Sequence, residues 1–325
     1  MEESLSRTLA PMLPRSLAPC RGPQRTNCVR WGGLLPLSPR YYPSAMKNAL
    51  SRFLRCAAVL ICAAFALTAT AAHGQDWAKA ILNKSPRHQE WVKIQYGNRT
   101  VNAFVVYPEL SRKAPVVLLI HEIFGLTDWA RSMADDIAAK GYIVIAPDLL
   151  SGLGPNGGDT SAFPDAQAAM KAVSGLDPAT VTADLNATAD YALKFPAANG
   201  KLAVVGFCWG GGKSFLFATQ RNRLSAAFVF YGPPPPTETL AQITAPVYGF
   251  YGGSDARITA TVPATKDAMA AAGKKYDAVV YDGAGHGFMR AGEDPANTNP
   301  ANTKARQEAL VRLQMLLDAR NEKKH

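Results

Sequence analysis

The chain has 325 residues, of which 48% are hydrophobic and 18% are charged, and its formal net charge at pH 7 is +10. Residues 1–74 hold nine of the 35 basic residues and two of the 25 acidic ones, which leaves 26 basic and 23 acidic residues for the remainder. That near-neutral remainder has no basic block interleaved with aromatic residues, so its charge argues against a nucleic-acid-binding domain.

The first 74 residues have the composition of segments that lie outside a fold. Residues 1–45 are rich in Pro, Arg, Ser and Leu and show no sustained period. Three basic residues follow Met46, and the uncharged run at residues 57–72 ends in small residues, which is the layout of a secretory signal peptide. This run is shorter than the roughly 20 residues of a membrane span. We therefore expect residues 46–74 to be a cleaved signal peptide. Residues 1–45 would then be an unstructured leader, either a misassigned start or a genuine one.

Residues 75–325 are long enough for one domain with a large core. Four of the five cysteines precede this domain, so Cys208 is its single thiol and it cannot form an internal disulfide. The signal peptide predicts a periplasmic or secreted protein, in an oxidising compartment where an idle thiol is a liability. We expect a monomer with no membrane span after signal cleavage.

Apolar runs and helical patterns alternate along this domain. We expect strands at residues 91–95, 100–107, 116–120, 142–146, 202–205, 226–231, 247–251 and 277–281. We expect helices at residues 128–140, 165–173, 178–195, 210–219, 263–272 and 303–317. Asp128 is the expected N-cap of the first helix, and the Gly-, Ser- and Pro-rich residues 151–162 are an expected loop. The alternation predicts an α/β fold with a doubly wound, mostly parallel sheet that binds ligands at the carboxyl ends of its strands.

Cys208 lies in a pattern that is typical of a nucleophile. Gly206, Cys208 and Gly210 form G-x-C-x-G between an apolar strand and a helix. This is the nucleophile elbow G-x-S-x-G with sulfur in place of oxygen, and its tight turn requires small residues on both sides of the nucleophile. The alternative is a buried, inert cysteine, which is common among free thiols.

Two further polar residues follow strands that end at the same edge. Asp255 comes after the strand at 247–251 and His286 after the strand at 277–281. The order nucleophile, acid, histidine is that of α/β-hydrolases, in which the imidazole takes the proton of the nucleophile and a carboxylate orients the imidazole. Alternatively, Asp255 is a turn residue and His286 an exposed loop residue.

An acyl-transfer site also needs donors for the oxyanion that forms on the substrate. One expected donor is the backbone N–H of Trp209, and a second should come from the loop at residues 121–125. Glu122 in that loop follows a buried strand directly, where a carboxylate is costly without a partner, although it could instead be a surface charge. No cluster of residues has metal-ligand spacing, and no Gly-rich loop matches a nucleotide-binding pattern, so we expect neither a metal nor another cofactor.

Four segments together resemble the dienelactone hydrolase family (carboxymethylenebutenolidase-like) of the α/β-hydrolase fold, and the likeness spans about residues 90–320. The segments are HEIFG at 121–125, APDL at 146–149, GFCWGG at 206–211 and YDGAGHGF at 281–288. The resemblance implies a hydrolase that cleaves small esters or lactones through an acyl-cysteine intermediate.

The resemblance also implies roles for individual residues. Those that match the family's site are Cys208, Asp255, His286, Glu122, Ile123 and Trp209. The first three would form a Cys-Asp-His triad. Glu122 would interact with the cysteine and help it reach the thiolate. The backbone N–H groups of Ile123 and Trp209 would form the oxyanion hole.

One feature of the family's substrate site is missing. Members that cleave dienelactone hold its carboxylate with an arginine downstream of the Pro-Asp-Leu segment, whereas residues 149–170 contain no Arg or Lys here. Lys213, Arg257 and Arg290 are basic and near the expected edge, but the pattern does not direct them to a ligand. Two alternatives stay open: a hydrolase-fold binding protein without turnover, and a thiol redox role, against which the absence of a second domain cysteine counts.

Overall fold

The structure is a computed structural model that describes residues 75–321. The expected leader at residues 1–45 and signal peptide at residues 46–74 lie outside the described residues. The strands are β1 (Gln89–Tyr96), β2 (Arg99–Val106), β3 (Ala114–Ile120), β4 (Ile143–Pro147), β5 (Ala198–Phe207), β6 (Ala226–Phe230), β7 (Val247–Gly252) and β8 (Tyr276–Tyr281). The helices are α1 (Asp76–Lys84), α2 (Asp128–Ala138), α3 (Ala166–Ser174), α4 (Pro178–Ala192), α5 (Trp209–Gln220), α6 (Ala256–Thr259), α7 (Val262–Ala271), α8 (Phe288–Ala291) and α9 (Pro300–Asn321).

The eight strands form one sheet in the order β1-β2-β4-β3-β5-β6-β7-β8. The hairpin of β1 and β2 is antiparallel, and β2 pairs antiparallel with β4. From β4 to β8 every pairing is parallel, so the carboxyl ends of these strands meet at one edge of the sheet. The predicted α/β fold with a mostly parallel sheet is confirmed.

Both faces of the sheet are covered, because side chains of a strand alternate between its faces. Val117 and Leu119 of β3 join one buried cluster with α2 and α9, whereas Val116 and Leu118 join a second cluster with α4, α5 and α7. All seven residues of β3 are buried. This two-sided burial explains why the central strands are continuous apolar runs, and it places helices on both sides of a single domain.

The predicted strands all occur within a few residues of their expected bounds. Three helices, α1, α6 and α8, were not predicted, and α6 and α8 have only four residues each, too few for a helical period to be visible. The N-cap of α2 is Thr127 rather than Asp128, because Thr127 has the extended backbone and its side chain accepts from the N–H of Ala130. Residues 151–162 contain two short 3₁₀ turns, Pro155–Gly157 and Thr160–Ala162. Among the described residues, no helix combines the length and apolar character that a membrane span requires.

Candidate active site

Cys208 sits between β5 and α5 in a strained backbone conformation, with φ of 55° and ψ of −117°. A Cβ on Gly206 would lie 1.9 Å from the carbonyl oxygen of Gly210, and a Cβ on Gly210 would lie 2.3 Å from that of His121. These neighbours are backbone atoms, which cannot turn aside as a side chain can. The two glycines of the G-x-C-x-G pattern therefore permit the turn that presents the Cys208 side chain at the sheet edge.

The side chains of Cys208, His286 and Asp255 form a hydrogen-bonded chain. Nε2 of His286 lies 3.1 Å from Sγ of Cys208, and its Nδ1 lies 2.5 Å from Oδ2 of Asp255. Asp255 is buried and follows β7, whereas the His286 side chain is about a third exposed in the loop after β8. Residues up to 78 positions apart thus meet because their strands end at the same edge.

The surroundings of His286 favour its charged form. Its hydrogen bond to Cys208 is the largest influence and, with the hydrogen bond to Asp255, raises the pKa of His286 to about 9 despite partial burial, which acts in the opposite direction. Because Nε2 of His286 is within hydrogen-bond reach of Sγ, the imidazole is placed to exchange a proton with Cys208 during a reaction.

Glu122 is buried and bonds to two residues that the sequence did not assign to it. Nε of Arg290 donates to Oε2 of Glu122 at 2.8 Å, and the hydroxyl of Tyr231 donates to Oε1 at 3.4 Å. Burial raises the pKa of Glu122, and the Arg290 guanidinium opposes that rise. Arg290 belongs to α8, four positions after His286. Its place near the edge was visible in the sequence, but no local pattern pairs it with a carboxylate 168 positions away.

Ile123, expected to be an oxyanion donor, lies in the loop that follows β3. Within residues 75–321, the backbone N–H groups of Ile123 and Trp209 donate to no backbone carbonyl outside regular secondary structure. Trp209 is the first residue of α5, where N–H groups lack partners inside the helix. Its ring is half-buried and stacks on His121, with ring centroids 5.7 Å apart.

Asp148 follows β4 directly, and its carboxylate holds the next turn of the chain together. Its carboxylate accepts from the N–H of Leu150 at 3.0 Å and from the N–H and hydroxyl of Thr160 at 3.0 and 2.8 Å. Burial raises the pKa of Asp148 to about 6, and these hydrogen bonds limit the rise. The hydroxyl of Thr160 in turn accepts from the N–H of Leu126, which joins this turn to the loop after β3.

A cavity of about 570 Å³ lies beside these residues but is not lined by Cys208. Arg290, which bonds to Glu122, and Phe124 form part of its wall, together with Phe163 and Asp159 of the segment after β4. The bonded side chains of Cys208, His286 and Asp255 converge at the elbow, and none of the three lines this cavity. Within the described part of the chain, no group of three or more His, Cys, Asp or Glu residues could hold a metal ion.

The chain is similar to known hydrolases over most of the described domain. The model of the dienelactone hydrolase family matches residues 101–319. A Methylorubrum extorquens protein, provisionally named a carboxymethylenebutenolidase, is 33% identical over 61% of this chain and 71% of its own. A Salmonella typhimurium protein with the same provisional name is 34% identical over 57% of this chain and 72% of its own.

Solved structures agree with this likeness. The crystal structure of a provisionally named dienelactone hydrolase from Klebsiella pneumoniae has a TM-score of 0.60 and 29% identity, covering 69% of this chain and 97% of its own. A dienelactone hydrolase-like promiscuous phosphotriesterase from metagenomic libraries, 23% identical with a TM-score of 0.59, shares the fold over 71% of this chain and 98% of its own. With the family model matching most of the domain and the parallel sheet presenting polar residues at its carboxyl edge, the chain belongs to the dienelactone hydrolase family and is a hydrolase.

Proposed function

We propose that the protein hydrolyses small esters or lactones with Cys208 as nucleophile. The observation that carries the proposal is the chain of hydrogen bonds from Asp255 through His286 to the thiol of Cys208. The carboxylate of Asp255 fixes the tautomer and orientation of the His286 imidazole, and the thiol of Cys208 is within reach of Nε2. The thiolate attacks the substrate carbonyl, a C–S bond forms, and the carbonyl π electrons move to the oxygen.

The oxyanion then accepts hydrogen bonds from the N–H groups of Ile123 and Trp209. The C–O bond breaks as the tetrahedral intermediate collapses, and the proton held on Nε2 of His286 passes to the leaving alkoxide. Water attacks the resulting thioester, gives a proton to His286, and releases the carboxylic acid. Cys208 leaves as the thiolate, paired again with the imidazolium.

Neutral substrates suit this site better than carboxylates. Of the cations in the cavity wall, Arg290 bonds to Glu122 and Arg131 bonds to Asp128, so both are already neutralised. Asp159 and Asp165 add negative charge to the same wall. If the acyl chain reaches this cavity, a substrate carboxylate meets like charges, and the described residues of the wall include no cation outside an ion pair, which is unfavourable. This inference agrees with the missing basic residue at 149–170.

The test compares the protein that signal cleavage would leave, residues 75–325, with its Cys208→Ala variant. We expect the substitution to lower kcat for p-nitrophenyl butyrate at least about a thousandfold, because it removes the atom that forms the acyl intermediate. Mass spectrometry should show a transient butyryl adduct on the wild-type protein alone. Turnover by Cys208→Ala at the wild-type rate would contradict the proposal.

The substrate preference is measured with a matched pair of esters. Mono-4-nitrophenyl succinate carries a carboxylate where p-nitrophenyl butyrate has a methyl group. We expect kcat/KM to be at least about tenfold higher for the butyrate, and dienelactone to be a poor substrate. Equal values for the two esters would contradict the charge argument and leave the nucleophile assignment intact.

The signal-peptide pattern at residues 46–74 supports a periplasmic or secreted location for this activity. Recovery of the activity from the periplasmic fraction or the medium, with an N-terminus close to residue 75, is the expected result.

A further inference from the structure

His121 is a wholly buried titratable residue to which the reaction above assigns no proton. It is the first residue after β3 and precedes Glu122. Burial lowers its pKa to about 4, so the ring is neutral over the physiological range. A buried polar ring of this kind requires hydrogen-bonding partners, and the identity of those partners indicates what it does.

Both ring nitrogens of His121 meet backbone groups. Nδ1 lies 2.7 Å from the carbonyl oxygen of Glu122, and the N–H of Leu149 donates to Nε2 at a longer 3.4 Å. A carbonyl oxygen can only accept and a backbone N–H can only donate. The neutral tautomer with its proton on Nδ1 is therefore the one that satisfies both contacts.

The carbonyl that His121 holds belongs to the same peptide unit as a proposed oxyanion donor. The C=O of Glu122 and the N–H of Ile123 lie in one plane and point in opposite directions, as in any trans peptide. The N–H of Gly125 also donates to this carbonyl, at 3.2 Å. The Glu122 carbonyl oxygen accepts hydrogen bonds from two donors, so the Glu122–Ile123 peptide cannot rotate freely. These bonds on the opposite side of the peptide thereby fix the direction of the Ile123 N–H.

The residue that carries the other proposed donor packs its side chain against the same ring. The indole of Trp209 stacks on His121 with an interplanar angle of 11°. The elbow helix also approaches the His121 backbone closely, since Gly210 leaves no space for a Cβ there. One side chain thus contacts the residues that supply both oxyanion donors.

We propose that His121 is a positioning residue that sets the Glu122–Ile123 peptide for oxyanion binding and keeps it aligned with Trp209. The proposal rests on the proposed function, because it needs the Ile123 N–H to stabilise the oxyanion. A positioning role and a simple packing role of His121 predict different results for substitutions of this residue. A side chain that keeps the donor at the Nδ1 position should preserve catalysis, and one of similar bulk without that donor should not.

The experiment compares His121→Asn, whose amide nitrogen falls near the position of Nδ1, with His121→Phe, which keeps a ring against Trp209 and loses the donor. We expect His121→Phe to lower kcat for p-nitrophenyl butyrate by about 30- to 300-fold with KM changed less than about threefold, since loss of one oxyanion donor costs about a hundred- to a thousandfold. His121→Asn should stay within about fivefold of the wild type.

A second readout reports the oxyanion directly. An aliphatic trifluoromethyl ketone adds the thiolate at its carbonyl carbon and leaves an alkoxide in the oxyanion position. Its inhibition constant should weaken in His121→Phe by about the same factor as kcat. Wild-type kcat and ketone affinity in His121→Phe, or equal losses in His121→Phe and His121→Asn with both variants folded, would overturn the proposal.

If His121→Phe does not fold, His121→Gln replaces it, because its longer side chain carries the amide toward the Nε2 position and away from the Glu122 carbonyl. The proposal then requires His121→Asn to be the more active of the two, and the reverse order or equal activity refutes it. Cys208→Ala separates the two proposals. If Cys208→Ala retains turnover, the proposed function is wrong. If turnover depends on Cys208 but is unchanged in His121→Phe, only the role of His121 is wrong.

Discussion

At the residue scale, the site combines a cysteine in a strained backbone conformation with charged side chains that stabilise one another in pairs. Cys208 keeps its positive φ of 55° because its surroundings fix it, including the hydrogen bond from its N–H to the carbonyl of Phe230 at 3.0 Å. Glu122 is tolerated inside the protein because Arg290 bonds to it. His286 gains stabilisation as a cation from Cys208 and Asp255, which links its protonation to folding.

This linkage predicts a pH-dependent stability. Because the pKa of His286 is raised from 6.5 to about 9, its contribution to the free energy of unfolding is fully present below pH 6.5 and is lost as the pH rises to about 9. Urea unfolding under reducing conditions at several pH values in this window measures the slope. The slope should flatten in His286→Asn and persist in His88→Asn, since the His88 side chain is 68% exposed. A slope unchanged in His286→Asn would contradict the assignment.

At the element scale, the turn from β5 to α5 decides whether the site can form. Two of its glycines lie against backbone atoms: Gly210 against residues 120 and 121, and Gly211 against the carbonyl of Phe230. Neighbouring elements therefore approach the elbow closely, and the loop after β3 is brought up to Cys208. The link from Leu126 through Thr160 to Asp148 fastens the other end of that loop.

A methyl group at the elbow should be poorly tolerated. Gly210→Ala places a Cβ 2.3 Å from the carbonyl oxygen of His121, so we expect a loss of at least about 3 kcal/mol in the free energy of unfolding, at the upper end for overpacking. Gly175→Ala is the control: its Cβ would be 3.5 Å from its nearest neighbour, and its φ is −90°. We expect that variant to stay within about 1 kcal/mol of the wild type. Equal stability of the two variants in urea would show that the elbow relaxes.

At the scale of the whole molecule, two apolar layers hold the sheet and so the relative positions of its loops. The layer on one side includes the long C-terminal helix α9, whose Ala305, Ala309, Leu313 and Leu317 are buried. These residues recur at intervals of four, while Val311 and Met315 of the same helix face outward. The active-site loops follow strands that depend on this layer for their cover.

Truncation of a side chain to alanine should destabilise the protein on the buried face of α9 and have little effect on its exposed face. Leu313→Ala should lower the free energy of unfolding by about 2 to 5 kcal/mol, because it leaves a cavity in the core. Met315→Ala, at a residue that is 66% exposed, should change the free energy of unfolding by less than about 0.5 kcal/mol. Urea titration of both variants checks this difference. A small loss in Leu313→Ala would mean that α9 packs loosely on the sheet.

The sequence by itself determined the fold class, the strands and the elbow. Central strands buried on both faces are continuous apolar runs, and the two glycines around Cys208 are required by a local turn, so both features are written in short stretches of chain. The candidates Asp255 and His286 followed from the rule that parallel strands end at one edge. The structure brings these three side chains together, while their catalytic roles remain a proposal.

The tertiary structure alone decided the partners of the buried charges and the orientation of the loop after β3. Glu122 and Arg290 are 168 positions apart, and His121 and Leu149 are 28 positions apart. No local period encodes such contacts, because they form only when the strands have been placed side by side. Burial makes these contacts necessary. In an unfolded chain a carboxylate or an imidazole forms hydrogen bonds with water, and once it is buried it needs a protein partner in place of that water.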